Sequence, residues 1–430
     1  MDEAQFRHAL QVGHGRAVLY ARSHDVSKFR DIILDACLHC WAVDPTCEGT
    51  RSGFMFEVID KLPDREFYFN EVLKALPADL ENWDSVQRFW LACNLVDADD
   101  ARAKQAMYDA YQPGPRFGES IGNSFIAMDG MKGLLFAAEK IGELLIEGRS
   151  DVDLGWLISS AKDKLGEQLV LDTLRSTAIL NPRVNAFFKA IEASPDKWPD
   201  AEWDAFPNQT YEELKSKIAM PRWWIRLGTW AERASDEEFE KAAHGLLAAS
   251  DPEEQIGHLK IFGNSPFPLD AAPIFKLAES GDGRIAYAAL RALGQRSLPA
   301  VRELAFRLIE TGSPHRDEAI DLLQWNFEPG DHALALDWFN TETDVEVLHS
   351  FQSSLRKLWK KHPEPSSEVA MLLTLYERGP CSFLREFEVR RLLELNALPD
   401  HLREECAWDA NDDVRDLVDP GSKTDGRSEE

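Results

Sequence analysis

Four residues near the N-terminus have the types and spacing of metal ligands. Cys37, His39, Cys40 and Cys47 bring three thiols and one imidazole into a short stretch, and Cys-x-x-Cys spacing recurs in structural zinc sites. The chain has no second cysteine pair of matching spacing. Cys37 and Cys40 also fall on an apolar helical stripe that begins at Phe29, where cysteines behave as small hydrophobic side chains. We therefore favour core packing for these residues, keep zinc binding as the alternative, and expect no cofactor.

The segment from Pro221 to Trp230 has the most unusual composition of the chain, PRWWIRLGTW. If Pro221 opens a helix, Trp223, Leu227 and Trp230 share one face of it. Buried tryptophans beside a solvated arginine face are the interpretation we favour. Trp and Arg are also the side chains that dominate the energetics of many protein interfaces, so the segment is our candidate binding site. Its candidate binding residues are Arg222, Trp224, Arg226 and Arg233.

The elements that must position these residues are predicted to be helices. Segments with a clear period repeat apolar residues every three or four positions and are rich in Leu, Ala, Glu and Arg, which lose little freedom in a helix. Val301, Leu304, Ala305 and Leu308 form one such stripe. No segment has a clear strand pattern. The sequence therefore predicts an all-α fold.

The second half of the chain has an approximate repeat. Helical hairpins are predicted to begin near Ala271, Leu298, Asp331, Ser366 and Pro399. A single hairpin cannot bury its apolar face, so repeats of two helices at such spacing stack on their neighbours into a solenoid. This pattern predicts an extended surface along the stacked helices.

One of these hairpins resembles a known repeat family. Residues 282–294, DGRIAYAALRALG, resemble the helix signature of the short HEAT-like repeats of bacterial proteins, and residues 411–418, NDDVRDLV, are a partial second copy. In that family an Asp opens the helix, a Val-Arg pair follows, and Ala and Leu pack between helices. Here Ala286 occupies the Arg position of the first copy. The resemblance is clearest in residues 270–330, and it implies a right-handed α-solenoid of HEAT-like hairpins that follows an irregular helical N-terminal half.

Changes in composition divide the chain into four predicted parts. A helical N-terminal region covers residues 1–193, and a connector rich in Pro and Trp covers residues 194–209, where the helical period is lost. HEAT-like helical repeats are predicted for residues 210–420. A tail without apolar residues, 421–430, is predicted to be disordered.

The charge of the chain restricts its partners. Seventy-five acidic residues face 48 basic ones, which gives a formal net charge of −27 and a pI near 4.8. Such a chain repels a phosphate backbone and attracts a basic protein. The residues after Met1 lack the basic and apolar regions of a signal peptide, and no apolar run has the length of a membrane span. We expect a cytoplasmic location without membrane contact.

These observations favour a non-catalytic scaffold, adaptor or regulator. Its solenoid groove and acidic surface would bind a protein partner with a basic patch. The alternative is an enzyme of HEAT-like fold that acts on nucleic-acid bases, like the alkylpurine DNA glycosylases built from such repeats. A strongly positive concave face would favour that alternative.

Overall fold

The protein is all-helical wherever its structure is described. The computed structural model describes residues 1–78, 82–98, 100–112, 118–149, 154–193 and 205–419, and these ranges contain 27 α-helices, four short 3-10 turns and no strand. The all-α prediction is therefore confirmed for these residues. None of the described helices combines the length and apolar character that crossing a bilayer requires.

The helices fall into three stretches of chain. The first stretch contains α1 (Glu3–Val12), α2 (Arg16–Ser23), α3 (Arg30–Leu38), α4 (Pro45–Glu48), α5 (Ser52–Ile59), α6 (Arg65–Ala75), α7 (Trp83–Asp97), α8 (Ala101–Ala110), α9 (Gly118–Asp129), α10 (Met131–Ile146), α11 (Gly155–Leu165), α12 (Glu167–Ala178) and α13 (Pro182–Ala193). The second contains α14 (Tyr211–Ile218), α15 (Trp224–Ala231), α16 (Asp236–Ala248), α17 (Pro252–Ile261), α18 (Ala272–Ala278), α19 (Gly283–Leu293), α20 (Pro299–Glu310), α21 (Ala319–Leu323), α22 (Asp331–Thr341), α23 (Val345–Lys361) and α24 (Pro365–Arg378). The third contains α25 (Ser382–Glu394), α26 (Asp400–Cys406) and α27 (Asp412–Val418).

Short polar side chains begin many of these helices. Asp282 accepts a hydrogen bond from the Arg284 amide at the start of α19, and Asn411 accepts one from the Asp413 amide at the start of α27. Such caps satisfy amide groups that have no partner within the helix. Both copies of the predicted repeat signature therefore open a helix, as their sequences indicate.

Contacts divide the chain into two compact units. Unit 1 is Met1–Asp196 with Gly379–Glu430, and unit 2 is Lys197–Arg378. The first boundary falls inside the predicted connector, 194–209, of which residues 194–204 lie outside the described part. The predicted repeat segment, 210–420, does not stay in one unit, because α25 to α27 belong with the N-terminal helices. The predicted tail also lies outside the described residues.

A buried ion pair explains why the C-terminal helices belong to unit 1. Arg385 on α25 and Asp409 pair at 2.7 Å, and both side chains are fully buried. Arg385 also donates hydrogen bonds to the carbonyl oxygens of Val12 and Gly13 at the end of α1, and the Ala410 amide donates to the Gly13 carbonyl at 2.9 Å. Charges taken out of water must be paired. These contacts therefore hold the two ends of unit 1 together.

Small residues allow close helix packing within unit 1. A Cβ on Gly133 would lie 1.9 Å from the carbonyl oxygen of Phe125, and one on Gly142 would lie 1.9 Å from that of Arg183. The glycines thus let α10 approach α9 and α13, the two helices against which it packs most extensively.

Unit 2 contains a row of stacked helices. The helices α15, α17, α19, α21 and α23 each pack on the next one in this order, and α17, α19, α21 and α23 also pack against the helix that precedes them in the chain. Within unit 2 the predicted hairpin starts near Ala271, Leu298, Asp331 and Ser366 lie within one residue of the observed starts of α18, α20, α22 and α24. The apolar period therefore located α18, α20 and α22, which precede and pack against the row helices α19, α21 and α23, and it located α24 as well.

Candidate functional site

The four candidate metal ligands are not brought together. Cys37 lies buried in α3, and burial raises the pKa of its thiol. Burial also raises the pKa of Cys40 to about 11, whereas Cys47 is exposed. His39 pairs through Nδ1 with Asp84 at 2.9 Å. No group of three or more His, Cys, Asp or Glu side chains in the described ranges has the arrangement of a metal site.

The segment from Pro221 to Trp230 has the helix phase that its sequence predicts. Pro221–Trp223 forms a 3-10 turn, and α15 follows directly. Trp223, Leu227 and Trp230 are buried. The Trp230 indole N–H donates to the Gln209 carbonyl at 2.8 Å. This face therefore belongs to the core of unit 2.

The candidate binding residues of this segment are divided between surface and interior. Arg222 and Arg233 are exposed, and Arg226 and Trp224 are partly buried. The Trp224 indole N–H donates to the Ile218 carbonyl at 2.9 Å. In addition, the Lys260 ammonium lies 5.3 Å from the centre of its ring. Trp224 thus makes its polar contacts inside unit 2 and is not a freely exposed anchor.

The row of helices carries a polar cleft that the sequence did not suggest. The cleft has a volume of about 190 Å³ and lies at the C-terminal ends of α17 and α19, around α21 and beside α23. Its lining residues are Asn264, Leu290, Arg291, Gly294, Gln295, Glu318, Asp321, Gln324 and Lys357. Three helices of the row, α19, α21 and α23, and the segment after α17 therefore contribute to one concave site.

Glu318 is the unusual member of this lining. It precedes α21, only 5% of its surface is exposed, and its Oε2 atom accepts no hydrogen bond. The nearest cation is the Arg291 guanidinium, whose Nη1 atom lies 3.7 Å from Oε2. Arg291 pairs more closely with Asp321, at 2.9 Å, and Lys357 also pairs with Asp321, at 3.1 Å. Asp321 thus pairs with both cations of the cleft, and Arg291 also pairs with Glu318.

This environment changes the protonation of Glu318. Burial above all, opposed by Arg291 and Lys357 and aided by the neighbouring carboxylates of Asp321 and Asp317, raises the pKa of its carboxyl to about 7. Desolvation disfavours the charged form of an acid. Glu318 therefore gains or loses its proton near neutral pH, as groups at functional sites often do.

Neighbouring residues hold the rim of the cleft in place. The His362 Nε2–H donates to the Gln324 carbonyl at 2.8 Å, and the Gln324 side-chain amide donates to Asp321. The Trp325 indole N–H donates to Gln295 Oε1 at 3.2 Å. These bonds fix the turn after α21. Gln295, Gln324 and the half-exposed ring of Trp325 therefore have defined positions around Glu318.

The predicted binding segment borders this cleft without lining it. A Cβ on Gly228 of α15 would lie 3.2 Å from the side-chain nitrogen of Asn264, which lines the cleft. None of Arg222, Trp224, Arg226 and Arg233 is among the lining residues. Sequence reasoning missed Glu318 and Asp321 because each looks like a solvated helix residue. Both lie inside the predicted hairpin that begins near Leu298.

No protein-family model matches this chain, and neither a curated protein nor a solved structure matches it.

Proposed function

We propose that unit 2 is a HEAT-like solenoid segment that binds a basic segment of a protein partner, without catalysing a reaction. The succession of helices from α15 to α23, each packed on the next, supports a solenoid because such arrays bury their apolar faces only between neighbouring repeats. The extended surfaces of such arrays commonly serve binding.

The observation that carries the proposal is the buried Glu318 carboxyl, whose Oε2 atom accepts no hydrogen bond and has its nearest cation, Arg291, at 3.7 Å. A buried acceptor that lacks a hydrogen bond is costly, and Arg291 and Lys357 both pair more closely with Asp321. A cationic group of a partner would supply the missing donor. The net charge of −27 acts in the same direction, because it attracts basic proteins from a distance.

Binding would then proceed in two stages. The acidic surface accelerates the encounter, in a manner that salt screens. Docking in the cleft provides specificity, since the partner must match fixed polar groups and the half-exposed rings of Tyr287 and Trp325. The predicted binding residues Arg222 and Arg233, which are exposed, would lie outside this contact.

A screen of short random peptides against the intact chain tests the proposal. We expect the retained peptides to be enriched in basic residues, and we expect hydrogen–deuterium exchange with a bound peptide to slow in α19 and α21. Peptides without basic enrichment, or protection confined to unit 1, would contradict the proposed function.

The second candidate is an enzyme that acts on nucleic-acid bases. The observation that favours it is the carboxyl of Glu318, because a pKa of about 7 suits a general acid or base. The charge of the chain opposes it, since binding to DNA normally requires clustered cations. Release of free base from alkylated double-stranded DNA by the wild type, but not by Glu318→Gln, would replace the scaffold proposal with this one.

A further inference from the structure

We infer that the cleft around Glu318 receives the guanidinium group of one arginine side chain of the partner, and that this arginine enters only when the Glu318 carboxyl has released its proton. The inference rests on the proposed function and names the chemical group that the site recognises.

The lining of the cleft matches a guanidinium in its hydrogen-bonding groups. Glu318 Oε2 is buried and accepts no hydrogen bond. Amide side chains stand beside it at the ends of three successive helices of the row, with Asn264 after α17, Gln295 after α19 and Gln324 after α21. A guanidinium carries five N–H donors in a planar fork, so it can bond a carboxylate and an amide oxygen together. The site thus offers several acceptors to a group that has only donors.

The aromatic residues near the cleft favour a planar cation. Tyr287 lies one helical turn before Arg291, is 42% exposed, and has a raised pKa, for which burial and the nearby Glu318 carboxylate are the largest causes. Trp325, 50% exposed, is held by Gln295 at the opposite end of α21, and the Lys361 ammonium, 2.7 Å from the centre of its ring, already covers one face of that ring. Guanidinium groups stack on aromatic rings, whereas an ammonium is a compact, strongly hydrated charge. A volume of about 190 Å³ admits a side chain and not a folded element.

The groups around Glu318 make binding depend on its proton. The charged or titratable neighbours that face it come from its own turn and from three helices, and they are Asp317, Tyr287, Arg291, Asp321 and Lys357. With Glu318 protonated, Arg291 and Lys357 balance the carboxylates of Asp317 and Asp321. A further cation then gains no net electrostatic attraction from the cleft. With Glu318 ionised the cleft has one excess negative charge, which an arginine neutralises.

The test uses the intact chain and a small probe, N-acetylarginine methylamide. Saturation-transfer NMR detects weak binding of such a probe, and the citrulline analogue has the same shape without the charge. We compare wild type, Glu318→Gln and the control Glu303→Gln, which removes one exposed carboxylate of the same unit. We expect a signal for arginine with wild type and with Glu303→Gln, none for citrulline, and loss of the arginine signal with Glu318→Gln.

Measuring the affinity for arginine at several pH values tests the same inference with the wild type alone. Because the pKa of Glu318 is about 7, the ionised fraction falls about tenfold between pH 8 and pH 6, and the apparent affinity for arginine should fall by the same factor. Equal binding of arginine and citrulline, equal binding by Glu318→Gln, or a flat pH series would overturn the inference. A lysine analogue that binds as well as arginine would overturn the choice of a guanidinium. If basic peptides still bind unit 2 in any of these cases, the proposed function stands and only the inference fails.

Discussion

Replacing Glu318 by glutamine should remove one specific pH dependence from the stability of unit 2. Glutamine keeps the shape of the protonated carboxyl and has no proton to lose. The burial that raises the pKa of Glu318 in the folded state is absent when the chain unfolds. The folded state therefore holds this proton more tightly than the unfolded state does, and raising the pH destabilises it.

The size of the effect follows from the two pKa values. An increase from 4.5 in the unfolded chain to about 7 in the folded protein corresponds, at about 1.4 kcal/mol per pH unit, to about 3 kcal/mol of stability in full. This stabilisation is complete below pH 4.5 and is lost as the pH rises through 7. Between pH 5 and pH 8 the wild type should therefore lose roughly 2–3 kcal/mol through this group. The advantage of Glu318→Gln over the wild type in free energy of unfolding should grow by that amount between pH 5 and pH 8.

The measurement must report on unit 2, because a chain of two units need not unfold in one step. Native-state hydrogen exchange of amides in α19 and α21, at increasing urea concentrations, gives the local free energy of unfolding. The difference between Glu318→Gln and Glu303→Gln cancels the titration of the other carboxyls. If that difference were the same at pH 5 and pH 8, the burial argument for Glu318 would be refuted.

Three further perturbations test other parts of the fold. Arg385→Met should destabilise unit 1 by about 3–5 kcal/mol, because Asp409 would remain as an unpaired buried charge. Urea unfolding measures this, and adding Asp409→Leu should restore part of the loss. Gly142→Ala should cost about 1–3 kcal/mol, since its Cβ would meet a backbone oxygen of α13. Gly53→Ala, with open space around its Cβ, should instead be neutral or raise the melting temperature. Among the six free cysteines, the exposed Cys47 should be alkylated first in the native protein, as peptide mapping would reveal. Equal labelling of the buried thiols would contradict the packing of α3.

The local pattern of the sequence was sufficient to predict the helices and their phase. The apolar stripe with Trp223, Leu227 and Trp230 is buried as its period indicates, and Asp282 caps α19 where the repeat signature begins. These features depend on the spacing of side chains along one helix. Such spacing is visible in a single sequence, because neighbouring turns decide which side chains share a face.

The sequence was less informative about the environment of individual side chains. Trp224 is of a residue type that often anchors interfaces, but its indole N–H donates to the Ile218 carbonyl. Glu318 is of a residue type that is usually solvated, but it is buried. Neither environment follows from the residue type, since burial and partners come from elements distant in the chain.

Composition and period therefore determined that this chain is strongly acidic and that its described residues are helical. Only the tertiary structure decided that α25 to α27 join the N-terminal helices, through the buried pair of Arg385 with Asp409. Only the tertiary structure brought Arg291, Glu318 and Lys357 to one cleft. The physical reason is that helix formation depends on residues within a few turns. An ion pair, a buried carboxyl and a cleft instead depend on which surfaces meet, and many weak long-range contacts together decide that.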